Sequence, residues 1–177
     1  MKIPNLKRYI ELYGENYIFN VIGQEAKKRG YLYFNDFYEI CMWKSARQKK
    51  RYIKNKYIIE EKSKRAFAEK DPTRQMDILC ELDGVRIPTA SALLTVVYPE
   101  SYAVIDIRCL EVLREKYGQK DYLGKSMSIK NWRKYLILMQ EWADENKVTT
   151  RELDMALFAM HREWLKESNR NLYIKTI

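Results

Sequence analysis

Apolar residues recur at three- and four-residue intervals over most of the chain. That period predicts helices rather than strands. A short helix over Leu6–Tyr13 stops at Gly14. A second is expected over 15–29, with Tyr17, Ile18, Val21 and Ile22 on one face and Gly30 as its stop. Asn35 suits the N-cap of a helix over 36–45, which the following residues are expected to continue as helix to about 69. On that reading Tyr52, Ile53, Tyr57, Ile58 and Ile59 form a core-facing stripe. Asp71-Pro72 opens a helix over 73–82, with Pro in the first turn. After a tight connection at 82–89, Pro88 suits the start of a helix to about 97. Residues 102–105 read as extended, and Asp106 caps a helix over 107–117 that ends at Gly118. Ser128 caps a helix to 145, and Thr149-Thr150-Arg151-Glu152 is a capping box opening the last one, to about 166. The tail after Ser168 is polar, and 119–127 is the loosest internal stretch.

Composition agrees with the period. Six Gly and four Pro in 177 residues are too few for a many-stranded sandwich or barrel, which needs a turn signal every few residues. With 46% hydrophobic residues the chain can bury one core, so a single domain is expected. No internal repeat, low-complexity segment or interdomain linker interrupts it.

Charge changes the picture. The formal net charge is +9, and it is not spread evenly. Between 44 and 65 stand Lys44, Arg47, Lys49, Lys50, Arg51, Lys54, Lys56, Lys62, Lys64 and Arg65, opposed only by Glu60 and Glu61, which leaves about +1 for the rest of the chain. One concentrated basic stretch is an electrostatic footprint for a polyanion, most simply nucleic acid. A solvated helix face and a membrane-surface helix are the alternatives. The core-facing stripe argues against the second.

Other classes drop out. The longest uncharged run, 87–99, is too short to span a bilayer, and the N-terminus lacks the apolar core of a secretory signal. Cys41, Cys80 and Cys109 are odd in number and far apart, which reads as a reduced, cytoplasmic chain without a disulfide framework. One histidine excludes a multi-histidine metal site. No metal or cofactor is expected.

Leu82-Asp83-Gly84-Val85-Arg86-Ile87-Pro88-Thr89-Ala90 is a turn running into a helix N-terminus. Such a turn leaves backbone N–H groups aimed outward, able to hold a DNA phosphate without reading bases. Sixteen residues after Ala90 comes Asp106, in Ala103-Val104-Ile105-Asp106-Ile107-Arg108. This combination resembles the helix-hairpin-helix base-excision DNA glycosylases, the HhH-GPD superfamily, whose hairpin reads approximately Leu-Pro-Gly-Val-Gly-x-x-Thr-Ala and whose essential aspartate follows at this spacing.

The resemblance implies an all-α, two-lobed HhH-GPD-like fold. A hairpin-bearing lobe would span about 35–118, and a second lobe would join 1–34 to 119–168, with Asp106 at the cleft. It further implies a DNA-binding base-excision protein. Asp106 would stabilise the sugar cation and position water. Gly84, Val85, Arg86, Ile87, Thr89 and Ala90 would hold a phosphate, and Lys44, Arg47, Lys49, Lys50, Arg51 and Lys54 would add salt-sensitive affinity. Trp43 and Tyr102 are candidates for stacking on the extruded base, although aromatics at helical spacing more often form core.

Two departures matter. Arg86 stands where the second hairpin glycine is expected, with backbone strain if that site needs a positive φ. Pro88 stands where bifunctional members carry a lysine, so no Schiff base can form there. The resemblance therefore implies a monofunctional N-glycosylase, without an iron–sulfur cluster and associated with the nucleoid. The alternative is a non-catalytic helix-hairpin-helix nucleic-acid-binding module, and a third is a basic helix that docks an acidic protein. Arg151 and Asp154 form an intrahelical pair of small worth on this reading, and His161 a surface or satisfied core residue.

Overall fold

The structure, a computed structural model, describes residues 1–14 and 17–167. The expected ends of the second helix at residue 15 and of the polar tail after Ser168 lie outside the described residues. Among the described residues every regular element is helical. In chain order they are α1 (Leu6–Tyr13), a π-helical turn (Ile18–Gly23), α2 (Gln24–Arg29), α3 (Phe34–Lys44), α4 (Lys49–Tyr52), α5 (Ile59–Ala68), α6 (Pro72–Cys80), α7 (Ile87–Val97), α8 (Ile107–Glu115), α9 (Lys120–Leu123), α10 (Ile129–Asn146) and α11 (Thr150–Glu167). No described helix is long and apolar enough to cross a membrane.

Helix α7 is the hub. Every residue from 89 to 97 is buried, so this helix is enclosed on all sides. Helices α3 and α6, the π-helical turn and α2 pack around it. Gly23 makes the closest of these approaches: a Cβ there would stand 2.0 Å from the Val96 carbonyl oxygen. In the other half α1, α8 and α10 pack on α11, and α9 bridges α8 and α10. Packing thus joins residues 18–29 to the hairpin-bearing half and α8 to α11, a different partition from a division at 35 and 118.

Most helix starts are those the caps predict. Asp71 accepts from Thr73 N–H at 3.0 Å, Ser128 from Asn131 N–H at 3.3 Å, and Thr149 and Glu152 bond reciprocally. Helix α3 begins earlier than expected: Tyr33 rather than Asn35 is its N-cap, and Asp36, inside the first turn, accepts from Tyr33 N–H at 3.0 Å.

The basic stretch is not one helix. It runs through a 3-10 turn, the single turn of α4, a second 3-10 turn and a non-helical bend at 56–58 before α5 begins. The cause is Asn55, which is fully buried. Its Nδ2 donates to the carbonyls of Tyr52 (3.1 Å) and Asp83 (2.9 Å), and its Oδ1 accepts from Asp83 N–H at 2.8 Å. A side chain committed to closing the 83–84 turn leaves the helix through 55 broken. The expected core stripe is therefore corrected. Tyr52 and Ile59 are buried, but Ile53, Tyr57 and Ile58 are in solvent.

Replacing Gly23 by Ala is expected to destabilise the protein by about 3 kcal/mol, the upper end of the cost of overpacking. Urea unfolding measures this. A loss below about 1 kcal/mol would mean that the π-helical turn is free to move off α7.

Candidate active site and basic face

Asp106 is delivered by extended residues held from three sides. Val104 N–H donates to Asp154 Oδ2 at 2.8 Å, and Val104 C=O accepts from the Tyr135 hydroxyl at 3.0 Å. Ile105 N–H donates to Ser91 Oγ at 3.1 Å. Ser91 in turn donates to the Pro88 carbonyl at 2.8 Å, so one hydroxyl ties the head of α7, just after the hairpin, to the residue before Asp106.

The Asp106 carboxylate caps α8, its Oδ1 accepting from Arg108 N–H at 3.0 Å. Its Oδ2 lies 2.7 Å from Lys44 Nζ, at the last residue of α3. Both side chains are mostly enclosed, 22% exposed for Asp106 and 11% for Lys44. Burial alone would push the Asp106 carboxyl up. The Lys44 ammonium, followed by the Arg108 N–H and guanidinium, outweighs it and holds the carboxyl below its ordinary value. Asp106 is therefore ionised at neutral pH.

Beside this pair opens a cavity of about 180 Å³ lined by Tyr13, Trp43, Arg108, Arg151, Asp154 and Phe158, among others. It is smaller than the roughly 300–1,000 Å³ of sites for drug-sized ligands, and suits one flat ring system. Aromatic edges shape its wall. Tyr13 and Phe158 meet edge to face at 5.5 Å, and Phe19 and Trp43 at 5.4 Å. The Arg108 guanidinium lies 4.8 Å from the Phe158 ring centre. Arg151 sits among Phe19, Tyr13 and Trp43, at 4.2, 4.8 and 5.6 Å from their ring centres, and pairs with Asp154. Burial pushes Asp154 up to about 6, against the pull of Arg151 and the Val104 N–H. A larger cavity of about 720 Å³ also reaches Arg151, lined by Ile10, Phe19, Val96 and Met155. Its acidic groups are already used: Glu100 pairs with Lys27, and Glu152 is in the α11 capping box. The chemistry favours the smaller cavity.

The expected site residues divide. Asp106 and Trp43 line the small cavity. Tyr102 does not: it is buried beside Tyr98, with its hydroxyl donating to Gln75, because the extended run turns its ring toward α6. Lys44 is not a free phosphate ligand, since the end of α3 points it at Asp106. Arg47, Lys49, Lys50, Arg51 and Lys54 are exposed.

The hairpin also divides. Val85, Thr89 and Ala90 are core residues. Gly84 has φ +79°, and a Cβ there would stand 2.8 Å from Arg51 Cβ, so this glycine serves the approach of α4 rather than that of DNA. Arg86 and the half-buried Ile87 remain at the surface, where their N–H groups donate to no protein group among the described residues. Arg86 has φ −131°, which is ordinary extended backbone, so the expected strain is absent. The Asp83 carboxylate is also exposed and opposes an incoming phosphate.

Sequence reasoning missed Lys44 as the partner of Asp106, and Tyr13, Arg151, Asp154 and Phe158 as cavity residues. The one signal for the last three was their common phase on α11. His161 is fully buried, with Nε2 2.7 Å from Glu111 Oε2. Among the described residues no group of three or more His, Cys, Asp or Glu side chains is arranged to hold a metal ion.

Compared with known proteins, the chain matches no family model, no curated protein and no solved structure.

Carbon-13 titration of the Asp106 carboxyl should show a value below the usual carboxylate range, moving upward in Lys44→Met, where only the Arg108 N–H and guanidinium still oppose burial. The linked stability is present above the ordinary carboxyl value near pH ~4 and is lost as pH falls through the lowered folded value. An unchanged titration in Lys44→Met would remove the ion pair as the cause. Separately, Asp154→Ala leaves Arg151 buried and uncompensated, and chemical denaturation should show a loss of about 3–5 kcal/mol.

Proposed function

We propose that this protein binds DNA and removes a damaged or modified base as a monofunctional N-glycosylase of HhH-GPD-like design. The observation that carries the reading is the placement of an ionised, enclosed carboxylate at a ring-sized aromatic cavity, tied through Ser91 to the hairpin helix.

Breaking an N-glycosidic bond builds positive charge on the sugar. A carboxylate fixed beside that carbon lowers the barrier electrostatically, and its remaining lone pairs orient the attacking water. Because Lys44 and the Arg108 N–H keep Asp106 deprotonated, the charge is in place before the reaction starts. Trp43, Tyr13 and Phe158 offer ring faces and edges to an extruded base. Arg86 and Ile87 N–H hold a phosphate at the head of α7, and the exposed cations from Arg47 to Lys54 supply most of the affinity.

A second reading keeps the DNA grip without chemistry. It is favoured by one contact: Lys44 engages one oxygen of Asp106 while the α8 cap engages the other, an arrangement that also suits a purely structural aspartate.

Three measurements separate these. Duplex affinity should fall steeply with salt, with a log–log slope of about −4 to −6 if five or six phosphates are neutralised. A panel of lesion-bearing oligonucleotides should yield a free base from at least one, and Asp106→Asn should abolish release with the fold intact. Release from none of the panel, with DNA binding retained, would leave the binding module. Borohydride should trap no covalent adduct. An adduct on Lys44, the amine nearest Asp106, would overturn the monofunctional assignment.

A further inference from the structure

Three apolar side chains stand in solvent within the most cationic part of the chain. Tyr57 is 90% exposed, Ile53 53% and Ile58 40%. A merely solvated turn has no use for them, and two of them flank Lys54 and Lys56, which are exposed as well. The flanking Tyr52 and Ile59 are buried, so the segment is anchored at both ends and projects between. Asn55, in the middle of it, bonds in both directions to Asp83 of the hairpin turn. These bonds hold the tip beside the hairpin turn at Asp83.

Charge decides what this tip meets. Among the described residues no carboxylate pairs with Arg47, Lys49, Lys50, Arg51, Lys54 or Lys56. An exposed aromatic ring in a segment rich in unpaired cations has the composition of a stacking platform for single-stranded nucleic acid, in which the ring takes a base face and the lysines take the adjoining phosphates. Tyr57 already has the Lys56 ammonium 5.8 Å from its ring centre. A membrane surface fits less well, because three apolar side chains on a bend offer little area to bury in the headgroup region.

We infer that the Ile53–Tyr57–Ile58 tip is a second nucleic-acid site, which stacks an unpaired nucleobase on the Tyr57 ring at a place distinct from the Asp106 cavity. It gives the protein a preference for DNA in which a base has left the stack. The inference rests on the DNA-binding reading and adds to it a substrate feature, a locally unpaired strand.

The test is fluorescence anisotropy of the full-length protein at fixed salt, with two probes: a fully paired duplex, and the same duplex carrying one bulged 2-aminopurine. The wild type should prefer the bulge and quench its fluorescence on stacking. Tyr57→Ala should weaken bulge binding by about 5- to 100-fold and remove the quenching, while leaving affinity for the paired duplex within about twofold. Tyr57→Phe should restore both. Because Tyr57 is exposed, the melting temperature of Tyr57→Ala should equal that of the wild type, which excludes unfolding as the cause. Salt-sensitive duplex binding without a Tyr57-dependent bulge preference would overturn this inference alone. Failure of the wild type to bind either probe would overturn the DNA reading and this site with it. Tyr57-dependent capture by phosphatidylserine vesicles, with no bulge preference, would assign the tip to a membrane instead.

Discussion

Residues 102–105 cross the interior as extended backbone with no neighbouring strand among the described residues. Each buried N–H and C=O there needs a partner, or folding loses about 1–3 kcal/mol per group. Side chains from three helices supply four of these partners. Ser91 on α7 takes the Ile105 N–H, Tyr135 on α10 serves the Val104 carbonyl, and Asp154 and Thr150 on α11 serve Val104 N–H and Tyr102 C=O. This requirement fixes more than the segment. It brings a carboxylate, Asp154, into the core, and that carboxylate brings Arg151 after it. It also sets where the chain emerges, and therefore where Asp106 stands relative to the hairpin.

Two carboxylates consequently lie within one small cavity with opposite tendencies. Asp154 is fully enclosed, and burial raises it despite Arg151. Asp106 keeps some solvent contact and has an ammonium 2.7 Å away, so pairing wins and lowers it. The difference separates roles. A group near its titration point in the core suits a structural hydrogen bond that tolerates either state, whereas a group held ionised at the cavity edge suits stabilising a developing cation. The Lys44 charge acts in both directions. It keeps the carboxylate deprotonated, and it offsets part of the field that the carboxylate would exert on a sugar, so the net effect depends on the ammonium lying on the far side of the carboxylate from the substrate.

Local chemistry was legible in the sequence and long-range pairing was not. Asp71, Asp106, Ser128 and the Thr149–Glu152 box are caps whose partners lie within three residues, and all are found as expected. The turn at Gly84 and the helix after Pro88 follow from the same short-range rules. The break at Asn55 depends on Asp83, 28 residues away, and an asparagine in a lysine-rich run gives no sign of that partner. Once the helix breaks, its periodicity no longer assigns faces, and Ile53, Tyr57 and Ile58 stand in solvent rather than in the core. Lys44 was indistinguishable by charge from its neighbours. Only the end of α3, packed on α7, separates it from them. Tyr102 is close to Asp106 in sequence, but its hydroxyl donates to Gln75 on α6 and its ring packs beside Tyr98, so it leaves the cavity through partners that are distant in sequence.

The surface argues further about what kind of contact this protein makes. The hairpin offers two backbone N–H groups and Arg86, with Asp83 in opposition. The 47–65 stretch offers eight exposed cations. If the protein binds DNA as proposed, each phosphate neutralised releases counterions, so the cations would outweigh the hairpin in affinity by their number and the hairpin would contribute register instead. Neither reads a base. On the proposed reading, discrimination beyond the Tyr57 tip comes from what can leave the stack and enter a cavity of about 180 Å³ walled by Trp43, Tyr13 and Phe158. Such a site selects by shape and by ease of extrusion before it selects by hydrogen bonds, and a base that is already poorly stacked enters at the least cost.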